Sequence, residues 1–147
     1  MAVNRQWVLA RRPHGMVTRD NFEYREAPLP EPGDGDVLLR NLYLSFDPTQ
    51  RGWMEDRESY LPPVQIGEVM RAGSVAQVVT SRHPDFSEGD LVQTTGGWQD
   101  YLVAAPGTGI MGLSRLPDGV PPTLALSVLG VTGLTAYWGL LDLGEPR

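Results

Sequence analysis

At 147 residues, with 41% hydrophobic and 20% charged residues, the chain has the composition of one globular domain and not of a disordered segment. Its formal net charge of -6, with arginine supplying all 12 basic residues, excludes the basic tracking surface of a nucleic-acid binder. The absence of cysteine, with only His14 and His83 beside it, excludes a Cys/His zinc site, and the segment 1–12 lacks the apolar run of a signal peptide, so a cytoplasmic protein is expected.

The 17 glycines and 13 prolines are scattered between short apolar runs, the pattern of many strands separated by turns. Strands are expected over 6–10, 22–27, 36–46, 74–80, 90–95 and 99–104, with turn chemistry at Pro32-Gly33-Asp34-Gly35 and Ser87-Glu88-Gly89-Asp90. The strand 36–46 places Leu38, Arg40, Leu42 and Leu44 on one face and Val37, Leu39 and Tyr43 on the other. Both faces then need cover, which suits a small closed or partly closed barrel packed from outside. At the strand's end Asp47-Pro48 starts a turn or short helix that delivers Arg51, Trp53 and Met54 together. Residue chemistry alone makes Asp47 an N-cap and Arg51 its ion-pair partner.

Further along, Glu55-Asp56-Arg57-Glu58 reads as a solvated face and His83-Pro84-Asp85 as an exposed turn, with no serine spaced to suggest a triad. Gly96-Gly97 joins two strands and allows either a plain turn or close approach of backbone to a ligand. A literal G-x-G-x-x-G stands at 107–112, but Pro106 precedes it and 113–117 runs into another turn, whereas a dinucleotide loop leaves a strand and opens a helix. A strand connection is expected there.

From Pro121-Pro122 the spacing becomes helical, with Leu124, Val128, Val131, Thr135, Trp138 and Leu141 on one face and Leu126, Leu129, Leu134, Tyr137 and Leu140 opposite. The uncharged run 119–141 is long enough to span a bilayer, but its Gly, Pro, Ser and Thr content and its lack of a basic flank favour a buried interdomain helix ending at Gly144. A helix apolar all round needs partners on both sides, and a barrel supplies one.

Taken together, Leu42-Tyr43-Leu44-Ser45-Phe46-Asp47-Pro48 with Arg51-Gly52-Trp53-Met54, then Gly97-Trp98-Gln99-Asp100-Tyr101, then 128–140 around Leu134-Thr135-Ala136-Tyr137 resemble the zinc-free medium-chain dehydrogenase/reductase family. The branch is that of prostaglandin, plant alkenal double-bond and bacterial curcumin reductases. The opening Asn4-Arg5-Gln6-Trp7-Val8-Leu9-Ala10, with Arg12-Pro13-His14-Gly15, and the later Tyr60-Leu61-Pro62-Pro63 match as well, so the resemblance runs over essentially the whole chain.

The resemblance implies a mainly β fold with short helices: a GroES-like, partly closed β-barrel over 1–121, and a connecting apolar helical segment over 122–147 that leads into a Rossmann domain lying outside this chain. It implies NADPH-dependent reduction of the C=C bond of small hydrophobic α,β-unsaturated ketones or aldehydes. By position, Pro48, Thr49, Gln99, Thr132 and Thr135 match the cofactor side, and Arg51, Met54, Tyr60 and Trp98 are pocket walls. No metal is implied, and no catalytic residue, because the family's enolate-binding or proton-donating tyrosine lies in the missing half. Several members carry Tyr where this chain has Thr49, so a wider pocket is expected here. The implied partners are an enone-type substrate and the chain's own Rossmann domain, with no nucleic acid and no membrane; a homodimer through the apolar helix stays open. On its own, the chain is expected to have no turnover. The alternatives are a non-catalytic GroES-like binding module, and a quinone or enoyl-thioester reductase of the same superfamily.

Overall fold

The structure is a computed structural model that describes residues 2–57, 59–107 and 112–146. It is mainly β. β1 (Val3–Leu9) pairs antiparallel with β2 (Phe22–Pro28), while β3 (Val37–Leu44), β4 (Ser74–Ser81), β5 (Leu91–Thr94), β6 (Tyr101–Ala104) and β7 (Ser114–Arg115) form a second sheet in the order β6-β3-β4-β5-β7. The two sheets meet through isolated bridges at Gln6↔Gln99 and Val8↔Val69. Among the described residues no ladder carries the pairing round to closure, so the strand pattern is that of two joined sheets.

The six expected strands form, each within a few residues of its expected bounds. β7 is additional; at two residues it is too short to show any alternation. β3 departs from the expected two-sided burial. Val37, Leu38 and Leu39 are buried, yet Leu42 is 41% and Tyr43 45% exposed. The cause is a pair of register shifts against β4, between Leu38 and Leu39 and between Asn41 and Tyr43, which interrupt the simple alternation and turn the strand's second half out of the core.

Three apolar clusters hold the fold. Val37, Leu39, Ala76, Val78 and Val92 fill the centre of the larger sheet. Leu9, Met54, Val64 and Met70 pack beneath the smaller one, with Phe22, Trp53 and Trp98 around them. Val75, Leu116 and Ala125 form the third, with Leu91 and Leu126 against it.

The glycine pair is set by packing. A Cβ on Gly96 would stand 2.3 Å from both Asn41 Oδ1 and Ser74 Oγ, and one on Gly97 would stand 2.9 Å from the Met70 carbonyl oxygen. Gly97 also has φ +68°, a left-handed conformation that glycine adopts without strain. The backbone approach allowed here is therefore to the protein's own β4 and 69–70 segment. Thr108, Gly109, Ile110 and Met111 of the G-x-G-x-x-G lie outside the described residues; the segment joins β6 to β7, with a strand and not a helix after it.

The C-terminal helix is not continuous. Pro122–Leu126 forms a 3₁₀ turn, the chain breaks at 127–130, α2 runs Val131–Trp138, and Gly139–Leu143 winds as a π turn. Ser127 donates its hydroxyl back to the Thr123 carbonyl at 3.1 Å. Gly130 is extended, and a Cβ on it would stand 2.3 Å from the Ala125 carbonyl oxygen. Ala125 is buried against the sheet, whereas no residue of α2 is. Val131, Leu134, Tyr137, Trp138, Leu140 and Leu141 all stand exposed. Among the described residues no helix is long and apolar enough to cross a membrane.

Candidate functional site

The strand β3 ends at Leu44, and the segment after it builds one wall of a cleft. Ser45 ties its amide to the Gly73 carbonyl at 2.8 Å and its hydroxyl to Asp47 Oδ2 at 2.6 Å. Pro48, with φ -55°, is preset for the entry to α1 (Thr49–Trp53). Gln50 is buried and donates from Nε2 to the Ser45 carbonyl at 2.8 Å, which pins α1 onto the strand end. The expected capping differs. Asp47 makes no side-chain cap bond; its carboxylate accepts from Ser45 instead. Arg51 pairs with Glu55 at 3.0 Å, one turn on, and donates to the Gly15 and Pro13 carbonyls. Asp47 and Glu55 both stand four residues from Arg51; Glu55 takes the arginine, while the Asp47 carboxylate accepts from the Ser45 hydroxyl.

Pro48, Thr49 and Trp53 form that wall of a cleft of ≈ 620 Å³. Tyr60 and Leu61 close one side, and Trp53 donates from Nε1 to Tyr60 Oη at 3.2 Å. Arg71, Gly73, Gln93 and Thr95 line the strand side, and Leu126, Thr132 and Thr135 the helical side. The cleft thus lies where the second and third apolar clusters meet, with Trp53 packed on one and Leu126 on the other. Its lining is mostly apolar with a few placed polar groups, the usual character of a small-molecule site. Thr135 donates its hydroxyl to the Val131 carbonyl at 2.8 Å and keeps its oxygen lone pairs free to accept. Thr95 Oγ1 is buried with no hydrogen-bond partner among the described residues. Among the described residues, Asp47 and Arg71 are the charged side chains of the lining.

Five of the residues singled out from the sequence, Pro48, Thr49, Tyr60, Thr132 and Thr135, therefore come together here. Trp98 and Gln99 line a different cleft of ≈ 680 Å³, against β1 and β2, with Trp7, Phe22, Tyr24 and Phe46. Trp98 packs on Phe22 and Phe46 with ring centroids 4.9 and 5.6 Å away. The Gln99 side chain is taken up by Gln6 at 2.8 Å and by the Gly96 carbonyl at 2.9 Å. At this cleft's rim Arg5 pairs with Asp100, and Tyr24 donates to Glu26 at 2.8 Å, a bond that holds its phenol above the ordinary range. Arg51 lines neither cleft. Met54 lines neither as well: it is 3% exposed, in the core with Leu9, Val64 and Met70, because α1 ends by turning it inward while Arg12 donates to its carbonyl. Trp53, Arg71, Gln93 and Thr95 were not among the expected site residues. Arg71 stands between Met70 and Ala72, both fully buried, in the irregular segment before β4. Among the described residues no group of three or more His, Cys, Asp or Glu is placed to hold a metal ion.

Residues 5–113 match the family described as the N-terminal domain of oxidoreductase. The chain is 50% identical over 144 residues to an NADPH-dependent curcumin reductase of Escherichia coli (strain K12), covering 98% of this chain and 41% of that protein. It is 36% identical over 144 residues to prostaglandin reductase 1 of Rattus norvegicus, covering 97% of this chain and 41% of the relative. In three dimensions it is similar to the crystal structure of CurA in complex with NADPH from Vibrio vulnificus, with TM-score 0.87 and 45% identity over 97% of this chain and 42% of that one. The chain thus spans about two fifths of the length of the relatives it matches.

Proposed function

Because the chain belongs to the N-terminal domain family of medium-chain oxidoreductases, in the branch of curcumin, prostaglandin and alkenal reductases, we propose that it forms the substrate-side wall of an NADPH-dependent reductase of α,β-unsaturated ketones and aldehydes. The observation that carries this reading is the assembly of Pro48, Thr49, Tyr60, Thr132 and Thr135 around one cleft. In this reading 1–121 is a partly closed GroES-like barrel, and 122–147 is the segment joining it to a nucleotide-binding domain that covers the exposed face of α2.

The nicotinamide end of NADPH fits the residues present. The cleft has room for a planar ring, the Thr135 oxygen retains accepting capacity for a carboxamide N–H, and buried Thr95 Oγ1 lacks a partner among the described residues. Bound there, the cofactor supplies a hydride for the β-carbon of the enone, while a proton reaches the α-carbon. This chain's part is positional. Pro48 and Thr49 form the floor beside the ring, held by Gln50 and Ser45 on the strand end, so the floor is backed by the core and not by a loop. Trp53 and Leu126 give the substrate an apolar bed, and the Tyr60 hydroxyl, accepting from Trp53, is left free to donate into the cleft. The apolar walls exclude water from a hydride-transfer path.

The test is a steady-state panel on the full-length protein with NADPH: alkyl and aryl enones, a quinone, and an enoyl thioester. Oxidation of NADPH with enones at the highest kcat/KM supports the reading. Turnover confined to quinone or thioester moves the activity to another branch of the superfamily, and no turnover with any leaves a binding module.

A further inference from the structure

Resting on the reading that the cleft takes a conjugated carbonyl substrate, we propose that Arg71 makes the site selective for substrates that also carry a carboxylate. Three observations place a ready-made anion receptor there. Arg71 lines the cleft. Its guanidinium lies over the Trp53 ring, 5.4 Å from the centroid, and donates from Nη1 to the Pro62 carbonyl at 2.9 Å. No carboxylate among the described residues forms an ion pair with it; Arg11, Arg19 and Arg40 share that state but line neither cleft except Arg19, at the other one, whereas Arg5, Arg12, Arg25, Arg51, Arg57, Arg82 and Arg115 each have a partner.

An arginine has five N–H donors in a planar fork, of which one is used here on Pro62. The stack on Trp53 and the Pro62 bond fix the plane of the fork before a ligand arrives, so little side-chain freedom is left to lose on binding. A planar carboxylate matches such a fork with two parallel bonds. Asp47, the other charged lining group, has its Oδ2 occupied by the Ser45 hydroxyl. An acidic protein that places in its apolar cleft an arginine with no carboxylate partner among the described residues gives an anionic substrate end a destination that its surface otherwise denies it.

A cofactor phosphate carries the same oxygen chemistry, and the test separates the two sources. Calorimetry on the full-length protein with NADP⁺ present compares 4-oxopentanoate with its methyl ester, in the wild type, Arg71→Met and Arg71→Lys. The acid is expected to bind about tenfold or more tightly than the ester in the wild type, equally in Arg71→Met, and with a partial preference in Arg71→Lys, given the strength of charge-assisted hydrogen bonds. NADPH affinity is expected to be unchanged in all three. A loss of the Pro62 anchor alone would weaken acid and ester together, so the acid-to-ester ratio isolates the charge. No preference in the wild type, a preference that survives in Arg71→Met, or a fall in NADPH affinity in that variant each overturns the proposal. These readings need no turnover. A failure of the enone reading appears separately, as an absence of NADPH oxidation with the corresponding unsaturated ester.

Discussion

Thr49 and Gly96 show how single residues set this molecule. Thr49 lines the cleft where several relatives by resemblance have tyrosine, and we propose that its short side chain leaves the cleft wider there. Thr49→Tyr in the full-length protein is expected to cut kcat/KM for aryl-substituted enones by about tenfold while sparing short alkyl enones, the size of effect that pocket volume confers; equal losses on both would argue that Thr49 does not set pocket width. Gly96 acts on stability. Gly96→Ala drives a methyl into Asn41 and Ser74 at 2.3 Å, and is expected to cost about 1–3 kcal/mol, the usual penalty of overpacking, measured by urea denaturation. At this scale Tyr60 and Thr135 were legible because they stand in motifs with fixed order. Arg71 was not, because an arginine in an irregular segment carries no period and shows its role only when Trp53 is seen beneath it. Met54 illustrates the opposite case: its motif was visible, but only the turn at the end of α1 decides that it points into the core.

Among the elements, β3 shows most clearly where sequence pattern and structure part. Its sequence is apolar on both faces, which foretells a strand covered on both sides, and that holds through Leu39. Register shifts on either side of Leu39 to Asn41, invisible in the apolar pattern, accompany the turn of the strand's second half out of the core. Leu39→Ala is expected to destabilise the fold by about 2–5 kcal/mol and Leu42→Ala by less than about 1 kcal/mol, as buried and half-exposed truncations do; thermal melts of the two variants side by side check it. Similar costs for both would mean that the second half of the strand is packed in solution. The C-terminal segment was legible in kind, apolar and helical, but its break at 127–130 was not. Hydrophobic spacing continues across the break, whereas the extended backbone at Gly130 and the back-bonded Ser127 depend on how Ala125 seats against the sheet.

For the molecule as a whole, we propose that the two joined sheets, the cleft lined by Pro48 and Thr135 and the exposed apolar helix form the part of a reductase that faces its cofactor domain. On this account the 147-residue chain alone oxidises no NADPH, and the full-length protein does, a comparison read by the loss of NADPH absorbance. The central claim is that the cleft of Pro48, Thr49 and Thr135 is where hydride meets the alkene. NADPH carrying deuterium at the transferred position of C4, used by the full-length protein on 4-phenylbut-3-en-2-one, tests it most directly. The account predicts one deuterium at the β-carbon of the saturated ketone, detected by NMR, with incorporation slowed at least about tenfold when Pro48 and Thr135 are replaced together, the cost of losing substrate and cofactor alignment. Deuterium at the carbonyl carbon, none in the product, or an undiminished rate in that double variant would contradict it.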